Sequence, residues 1–537
     1  MVPDGDRTQT LLCVKFGNPP DADARRTDMV MAAAAQGVNE YDLLVIGGGI
    51  NGVGIARDAA GRGLKVLLCE RGDLAEGTSS RSSGLIHGGL RYLEHYEFRL
   101  VRESLIEREV LMGSAPHLIR PMRFVLPQDR SLRPAWFVRS GLFLYDHLGG
   151  RRRLPSTRSI DLHQSVEGEP LHEEFTQAFE YADCRVFDAR LVITAALDAQ
   201  ARGAQIFTRT EFVGAHRVGA RWQAQLRDVA SGQAVQVQAA ALVNAAGPWV
   251  GQVLAGLPQS ASMQRMRLVK GSHIVVPKFW EGDHAYLVQN NDRRVVFVLP
   301  WEGDFAVIGT TEVAWRGDPA SAEIDAAEVV YLCEAVGRWF RHPPRPAAVL
   351  HAWSGVRPLL EDEHEEASEV TRDYLLELDG EFRPDGLAPL INVFGGKLTT
   401  FRVLAEQVLE RLAARFPGLP GPWTAQATLP GGDLPDGDLA GALAQWRTDH
   451  PWVPPALASR WWQAYGTRVD RMLGDAAGLH DLGQDFGAGL FQREVDYLCR
   501  EEWASTAEDI LWRRSHCGLH MTPAQRAALA QWLQRGA

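Results

Sequence analysis

The segment Gly47-Gly48-Gly49-Ile50-Asn51-Gly52 carries the strongest chemical signal in the chain. Glycines at this spacing satisfy the GxGxxG pattern that seats a dinucleotide pyrophosphate when a strand precedes it and a helix follows. Gly47 allows a tight turn, Gly49 lets phosphate approach the backbone, and Gly52 lets helix and strand pack closely. The new helix offers free N–H groups and a partial positive charge to the phosphates. Glu70, at the end of the next strand, can accept hydrogen bonds from both hydroxyls of an adenosine ribose and would repel a 2′-phosphate.

Three further segments select among dinucleotides. The loop Gly77-Thr78-Ser79-Ser80-Arg81-Ser82-Ser83-Gly84 is rich in hydroxyls, with one cation, and can wrap a pyrophosphate from its second side. Ala241-Leu242-Val243-Asn244-Ala245-Ala246-Gly247 reads as a strand feeding a small-residue turn, where backbone can lie against a flat cofactor. Gly395-Gly396-Lys397 opens another helix, whose N-terminal dipole can stabilise negative charge on the pyrimidine end of a reduced flavin. The fingerprint serves FAD and NAD alike; the later segments favour FAD.

These residues need a scaffold, and its elements are visible. Tyr41 to Glu70 reads as strand, helix, strand, the start of a doubly wound sheet. His273 to Val276, Arg294 to Leu299 and Phe305 to Gly309 read as short strands, the last two joined around Glu302-Gly303-Asp304, which predicts an antiparallel sheet. Leu390 to Val393 then returns to the dinucleotide domain and leads into a helix with Phe401, Leu404, Val408 and Leu412 on one face, stopped by Pro417. The fold class expected is therefore α/β, with a doubly wound, Rossmann-like FAD domain interleaved with an antiparallel-sheet substrate domain. Beyond a Pro/Gly-rich stretch ending near Gly437 the pattern is helical, with capping boxes at Ser505-Thr506-Ala507-Glu508 and Thr522-Pro523-Ala524-Gln525. The expected divisions are residues 1–40 as an N-terminal extension, 41–423 as the interleaved oxidoreductase unit and 424–537 as an α-helical C-terminal domain.

Composition narrows the class. A chain of 537 residues suggests two to four domains at about 100–200 residues each. A net charge of -11 argues against a nucleic-acid partner. Six scattered cysteines form no CxxC pair and no zinc spacing, which points to free thiols in a reducing cytoplasm and to no metal site. No apolar run approaches the roughly 20 residues that span a bilayer. The first 40 residues contain no signal-peptide core and read as an extension, or as a start placed too early, with Met29 or Met31 as alternatives.

The residues resemble bacterial aerobic, FAD-dependent glycerol-3-phosphate dehydrogenase. Matching stretches are Val45 to Gly52, Leu85-Ile86-His87-Gly88-Gly89-Leu90-Arg91-Tyr92-Leu93-Glu94-His95, Lys270 to Pro277, Ile308 to Thr311, Ser354-Gly355-Val356-Arg357-Pro358-Leu359, and Phe394-Gly395-Gly396-Lys397-Leu398-Thr399-Thr400. They occur in order from about Tyr41 to the C-terminus. The resemblance implies non-covalent FAD, a homodimer, and a cytoplasmic enzyme attached peripherally to the inner face of the inner membrane. It also implies oxidation of sn-glycerol 3-phosphate to dihydroxyacetone phosphate, with hydride passing to flavin N5 and electrons onward to ubiquinone or menaquinone. The cofactor-binding residues then include Gly47, Gly49, Ile50, Asn51, Gly52, Glu70 and Arg71 around the fingerprint. Thr78, Ser79, Ser80 and Ser83 join from the hydroxyl loop, with His87, Gly88 and Gly89, Ala246 and Gly247, and Gly396, Lys397, Leu398 and Thr399. One departure is Gly84, where the family commonly has lysine.

A phosphate dianion beside a secondary alcohol needs fixed cations and a proton acceptor. Arginine suits the phosphate because its planar fork pairs with two oxygens. The resemblance places Arg91 and Arg357 in that role, with Tyr92 as a further donor. His87 and His273 are the candidate bases, since imidazole titrates near pH 6.5. Lys397 is expected to hold developing charge on the flavin or the substrate oxygen. Between Arg130 and Arg158 lie seven arginines and one acid, Asp146, interleaved with Trp136, Phe137, Phe143 and Tyr145; this suits an anionic lipid surface as well as it suits a solvated or substrate-steering loop. Quinone leaves no motif and rests on the resemblance. The rivals are an oxidase returning electrons to oxygen, a non-catalytic flavin-binding sensor or scaffold, and a nicotinamide dehydrogenase, which the later flavin segments disfavour.

Overall fold

The computed structural model describes residues 40–129, 134–150, 153–258, 260, 262, 266–292, 294–360, 373–379 and 386–535. Residues 1–39 of the N-terminal extension and the arginines at 130, 133, 151 and 152 lie outside the described residues.

Two sheets alternate along the chain, so the interleaving expected from the sequence is present. The first has the order β17 (Leu375–Asp379), β18 (Leu390–Phe394), β10 (Ala234–Asn244), β1 (Glu40–Ile46), β2 (Val66–Cys69) and β7 (Gln205–Phe207). From β18 to β7 every pairing is parallel. Strands β8 (Thr210–Val218) and β9 (Arg221–Asp228) extend β10 as an antiparallel flap. Both faces of β1 are covered, which explains its continuous apolar run. Leu43 and Val45 pack toward helices α1 (Ile50–Gly61), α4 (Asp188–Ala201) and α6 (Phe401–Leu412), while Tyr41, Leu44 and Ile46 pack toward Trp222 and Phe207.

The second sheet runs β15 (Val313–Trp315), β11 (Met266–Pro277), β14 (Phe305–Gly309), β13 (Val295–Trp301), β12 (Ala285–Gln289), β4 (Ile119–Pro127), β6 (Gln177–Val186) and β3 (Leu85–Ile86). Strands β5 (Arg158–Asp161) and β16 (His351–Leu360) attach to β6 and β11. The pairings are antiparallel as the hairpin pattern predicts, except that β12 meets β4 in parallel. Helices α2 (Phe98–Ser114), α3 (Ala135–Leu148) and α5 (Ala326–Gly337) cover this sheet.

The C-terminal helices α7 (Leu439–Asp449), α8 (Pro455–Tyr465), α9 (Val469–Leu473), α10 (Gln492–Glu501) and α11 (Pro523–Gln534) enclose their own core around Trp461, Tyr465, Tyr497 and Leu498. The capping box at Thr522 and Gln525 is present. The other box is displaced by one residue. Thr506 caps Asp509 N–H, and the Asp509 carboxylate returns to the N–H groups of Ser505 and Thr506, because aspartate at the third position reaches back where Glu508 does not.

Burial keeps several histidines neutral. His117, packed on the backbone of Gly431 and Gly466, and His273 are both pushed down to about 3, and His284 to about 4, chiefly by loss of solvent. In the unfolded chain each takes up a proton near pH 6.5. The unfolded state therefore binds more protons below that value, and stability is lost as the pH falls from about 6.5 toward 4. Neither ring nitrogen of His117 has a hydrogen-bond partner among the described residues. His117→Phe should flatten the fall in Tm between pH 6.5 and 4.5 by about one proton's worth; an unchanged pH slope would contradict this.

Candidate active site

A cavity of about 680 Å³ runs between the two sheets and gathers most of the residues singled out from the sequence. One wall is the turn from β1 into α1. At Gly52 a Cβ would sit 1.9 Å from the Gly47 carbonyl oxygen, so only glycine lets the helix start this close to the strand. The Ile50 N–H is capped by Ser79 Oγ at 3.1 Å. The Asn51 side chain donates to Gly395 O at 3.1 Å and thereby ties the start of α1 to the turn before α6. Two helix N-termini thus meet at one place, where their free N–H groups favour negative charge.

Glu70 stands at the end of β2 as expected, and its two oxygens accept from Gly48 N and Gly72 N, each at 2.7 Å. Burial nonetheless raises its pKa. The hydroxyl loop is fastened from outside. Thr78 Oγ1 donates to Val356 O at 2.7 Å, Arg81 to Ser354 O at 3.2 Å, and Ser82 Oγ to Asp188 at 2.6 Å.

At the other end of the cavity the β11–β16 ladder sets His273 opposite Trp353 and Val269 opposite Arg357. His273 stacks on Trp353 with ring centroids 5.3 Å apart, and its Nε2 lies 2.9 Å from Ser83 Oγ. Burial first, and the Arg357 charge second, hold this imidazole neutral. Arg357 donates to Thr311 O at 3.2 Å and lies 3.5 Å from Glu312. Lys397 Nζ sits 3.9 Å from the centroid of the Tyr92 ring. His87 is tied through its backbone to Thr399 Oγ1 and meets Phe297 edge-on.

Lining the cavity are Gly47, Gly49, Ile50, Asn51, Glu70, Arg71, Thr78, Ser79, Ser83, His87, Tyr92, Ala246, Gly247, His273, Arg357, Gly396, Lys397, Leu398 and Thr399. Gly52, Ser80, Gly88, Gly89 and Arg91 are not among the lining residues. Gly52 works by packing instead, and Gly88 donates to Tyr145 Oη at 2.7 Å. Arg91 lies on the short 3-10 segment Leu90–His95, whose Tyr92 lines the cavity in its place. Gly84 has a φ of +64°. A Cβ there would come within 2.9 Å of Val186 O, so this backbone is built for glycine and a lysine would be strained. The positive charge in the cavity is therefore carried by Arg71, Arg81, Arg227, Arg357 and Lys397.

Sequence reasoning missed Trp249, Asp373 and Phe297, which also line the cavity. Trp249 receives the Arg71 guanidinium on its face at 4.5 Å. It follows Ala246-Gly247-Pro248 directly, and that adjacency was its only signal. Asp373 had none.

A model of FAD-dependent oxidoreductases matches residues 42–391, and one described as the C-terminal domain of alpha-glycerophosphate oxidase matches residues 422–534. The chain belongs to the FAD-dependent oxidoreductase family. It is 53% identical to D-erythritol 1-phosphate dehydrogenase of Brucella abortus, over 91% of this chain and 97% of that one. It is 51% identical to glycerol-3-phosphate dehydrogenase of Pseudomonas aeruginosa, over 92% and 95%. In fold it resembles glycerol-3-phosphate dehydrogenase from Bacillus halodurans complexed with FAD, with a TM-score of 0.72, 24% identity, and coverage of 95% and 97%.

The cavity fits the family's cofactor. Asn51 Oδ1 is buried without a partner among the described residues, an acceptor left for a ligand beside the glycine turn. Glu70, Arg71 and the hydroxyl loop would hold the nucleotide half of FAD, and Gly396 to Thr399 the flavin half.

Proposed function

We propose that this enzyme oxidises sn-glycerol 3-phosphate to dihydroxyacetone phosphate and passes the electrons to membrane quinone. The observation that carries this reading is the meeting, in one FAD-binding cavity, of Arg357, Lys397 and two imidazoles, His87 and His273. Bound FAD supplies the hydride acceptor. Arg357 grips the phosphate through its planar fork. That dianion neutralises one of the two influences that depress His273, so substrate binding raises the basicity of the imidazole facing it. His273 or His87 takes the hydroxyl proton, while Lys397, held on the Tyr92 face, steadies the substrate oxygen as it becomes a carbonyl.

A second reading has one observation in its favour, the 53% identity to a dehydrogenase named for D-erythritol 1-phosphate. Both compounds present a phosphate ester and hydroxyl-bearing carbons, so the same cations serve either. Anaerobic titration with each polyol phosphate, followed by reoxidation with a soluble quinone or with oxygen, separates these possibilities and the oxidase. Flavin that stays oxidised in excess glycerol 3-phosphate would overturn the first reading.

Helix α3 supports peripheral attachment to a membrane. No helix among the described residues is long and apolar enough to cross one. Yet α3 exposes Trp136 (70% accessible), Phe137, Phe143 (61%) and Leu144 to solvent, with Arg139 beside them. Its buried face sends Tyr145 to Gly88, on the wall behind the cavity. An apolar, aromatic face one helix diameter, about 10 Å, from that wall suits a lipid-borne electron acceptor. Binding to anionic vesicles should weaken with salt and with the joint change Trp136→Ala and Phe143→Ala. Equal binding by that variant would remove α3 from the contact.

A further inference from the structure

A fully buried contact between the C-terminal helices and the FAD domain is made at the turn after β2. Asp73, fully buried, accepts Arg513 Nε at 2.7 Å and both terminal nitrogens of Arg514, Nη2 at 2.8 Å. These arginines lie on Asp509–Arg514, which winds as a π-helix, a rare form found often at functional sites. Arg514 also donates to Glu502 O at 2.6 Å, which locks it to the end of α10. Asp509 couples Arg513 to Arg209 of the FAD domain, whose guanidinium reaches it at 2.6 Å.

The same residues lead back to the cofactor seat. The Arg209 backbone N–H donates to Gly72 O at 2.8 Å, and that of Thr210 to Glu70 O at 2.7 Å. Glu70 in turn grips Gly48 and Gly72. Asp73 N–H donates to Glu76 at 2.6 Å, and Ala75 N–H to Gly48 O at 3.1 Å. The cavity-lining residues Glu70, Arg71, Gly72, Glu76 and Gly77 thus form one turn around Asp73, and Asp73 is held from behind by side chains more than 400 positions away in sequence. A carboxylate without solvent needs charged partners, because a buried charge left uncompensated is strongly unfavourable. When Arg513 and Arg514 withdraw, Asp73 has to move to water and the turn has to move with it.

We propose that the C-terminal helical domain retains FAD: by clamping Asp73, Arg513 and Arg514 hold the turn at residues 70–77 in the shape that binds the adenosine end, so that docking of this domain and FAD binding are thermodynamically linked. Arg513, Arg514 and Asp73 are positioning residues, since none of them lines the cavity. The coupling is independent of which polyol phosphate is oxidised. Linkage is reciprocal, so bound FAD tightens the docking as much as docking tightens FAD.

The test uses the full chain, with FAD removed and returned. Arg514→Met and Asp73→Asn are compared with wild type and with Arg460→Met, whose pair with Glu494 lies wholly inside the helical domain. At a temperature where all are folded, the first two should raise the Kd for FAD at least tenfold and speed flavin release, read by the return of free-flavin fluorescence, while Arg460→Met changes it less than threefold. A Kd within twofold of wild type for both clamp variants, or an equal rise in all three, overturns the proposal. Should the clamp variants fail to fold, the wild-type chain still decides. Limited proteolysis between residues 422 and 437 should be faster without FAD than with it, and equal rates overturn the linkage.

Discussion

Replacing Arg357 with methionine is expected to lower kcat/KM for glycerol 3-phosphate by two to three orders of magnitude, mostly through KM. The phosphate is bound before and during the reaction, so the lost interaction is uniform and falls on binding more than on turnover. Its size follows from chemistry. A phosphate dianion brought into the cavity without a bidentate partner forfeits charge-assisted hydrogen bonds worth about 1.5–3 kcal/mol each. Arg357→Lys should recover only part of the loss, because an ammonium cannot match two oxygens at once. The same change removes the second cause of the low His273 pKa, so the imidazole should titrate higher in the Arg357→Met variant. A KM within threefold of wild type would remove Arg357 from phosphate binding.

Changing His273 to asparagine should slow flavin reduction at saturating substrate by about 10²–10⁴-fold, the usual contribution of a positioned general base. His87→Asn is the companion variant. The pH dependence separates them. Burial, and then the Arg357 charge, push His273 down to about 3, so its imidazole is unprotonated throughout pH 5–8. An acid limb in kcat/KM within that range therefore does not belong to His273. If His273→Asn leaves flavin reduction within threefold of wild type and His87→Asn does not, His87 is the base. Two normal rates would exclude both.

Local signals carried much of this protein. The glycines at 47, 49 and 52, the carboxylate at 70 and the apolar run before them lie within thirty-odd residues, and short-range sterics dictate what they build. The strand pattern of the middle region and the face of α6 are equally local, since side-chain period follows backbone geometry. Identity of the cofactor, and the cavity's arginine, lysine and histidines, could therefore be named from residue types and motif resemblance.

Other properties emerge when distant segments meet. Arg91 and Tyr92 are neighbours in the chain, but the turn of the Leu90–His95 segment brings Tyr92 into the cavity lining without Arg91. Gly84 stands where the family commonly has lysine, and its positive φ shows a position shaped for glycine. Nothing near Asp73 announces that Arg513 and Arg514 will seal it, and nothing in a basic, aromatic stretch tells which rings α3 leaves in solvent. Burial and charge pairing depend on what packs across from a residue. That is a property of three-dimensional neighbours, which a linear pattern encodes only through the whole fold.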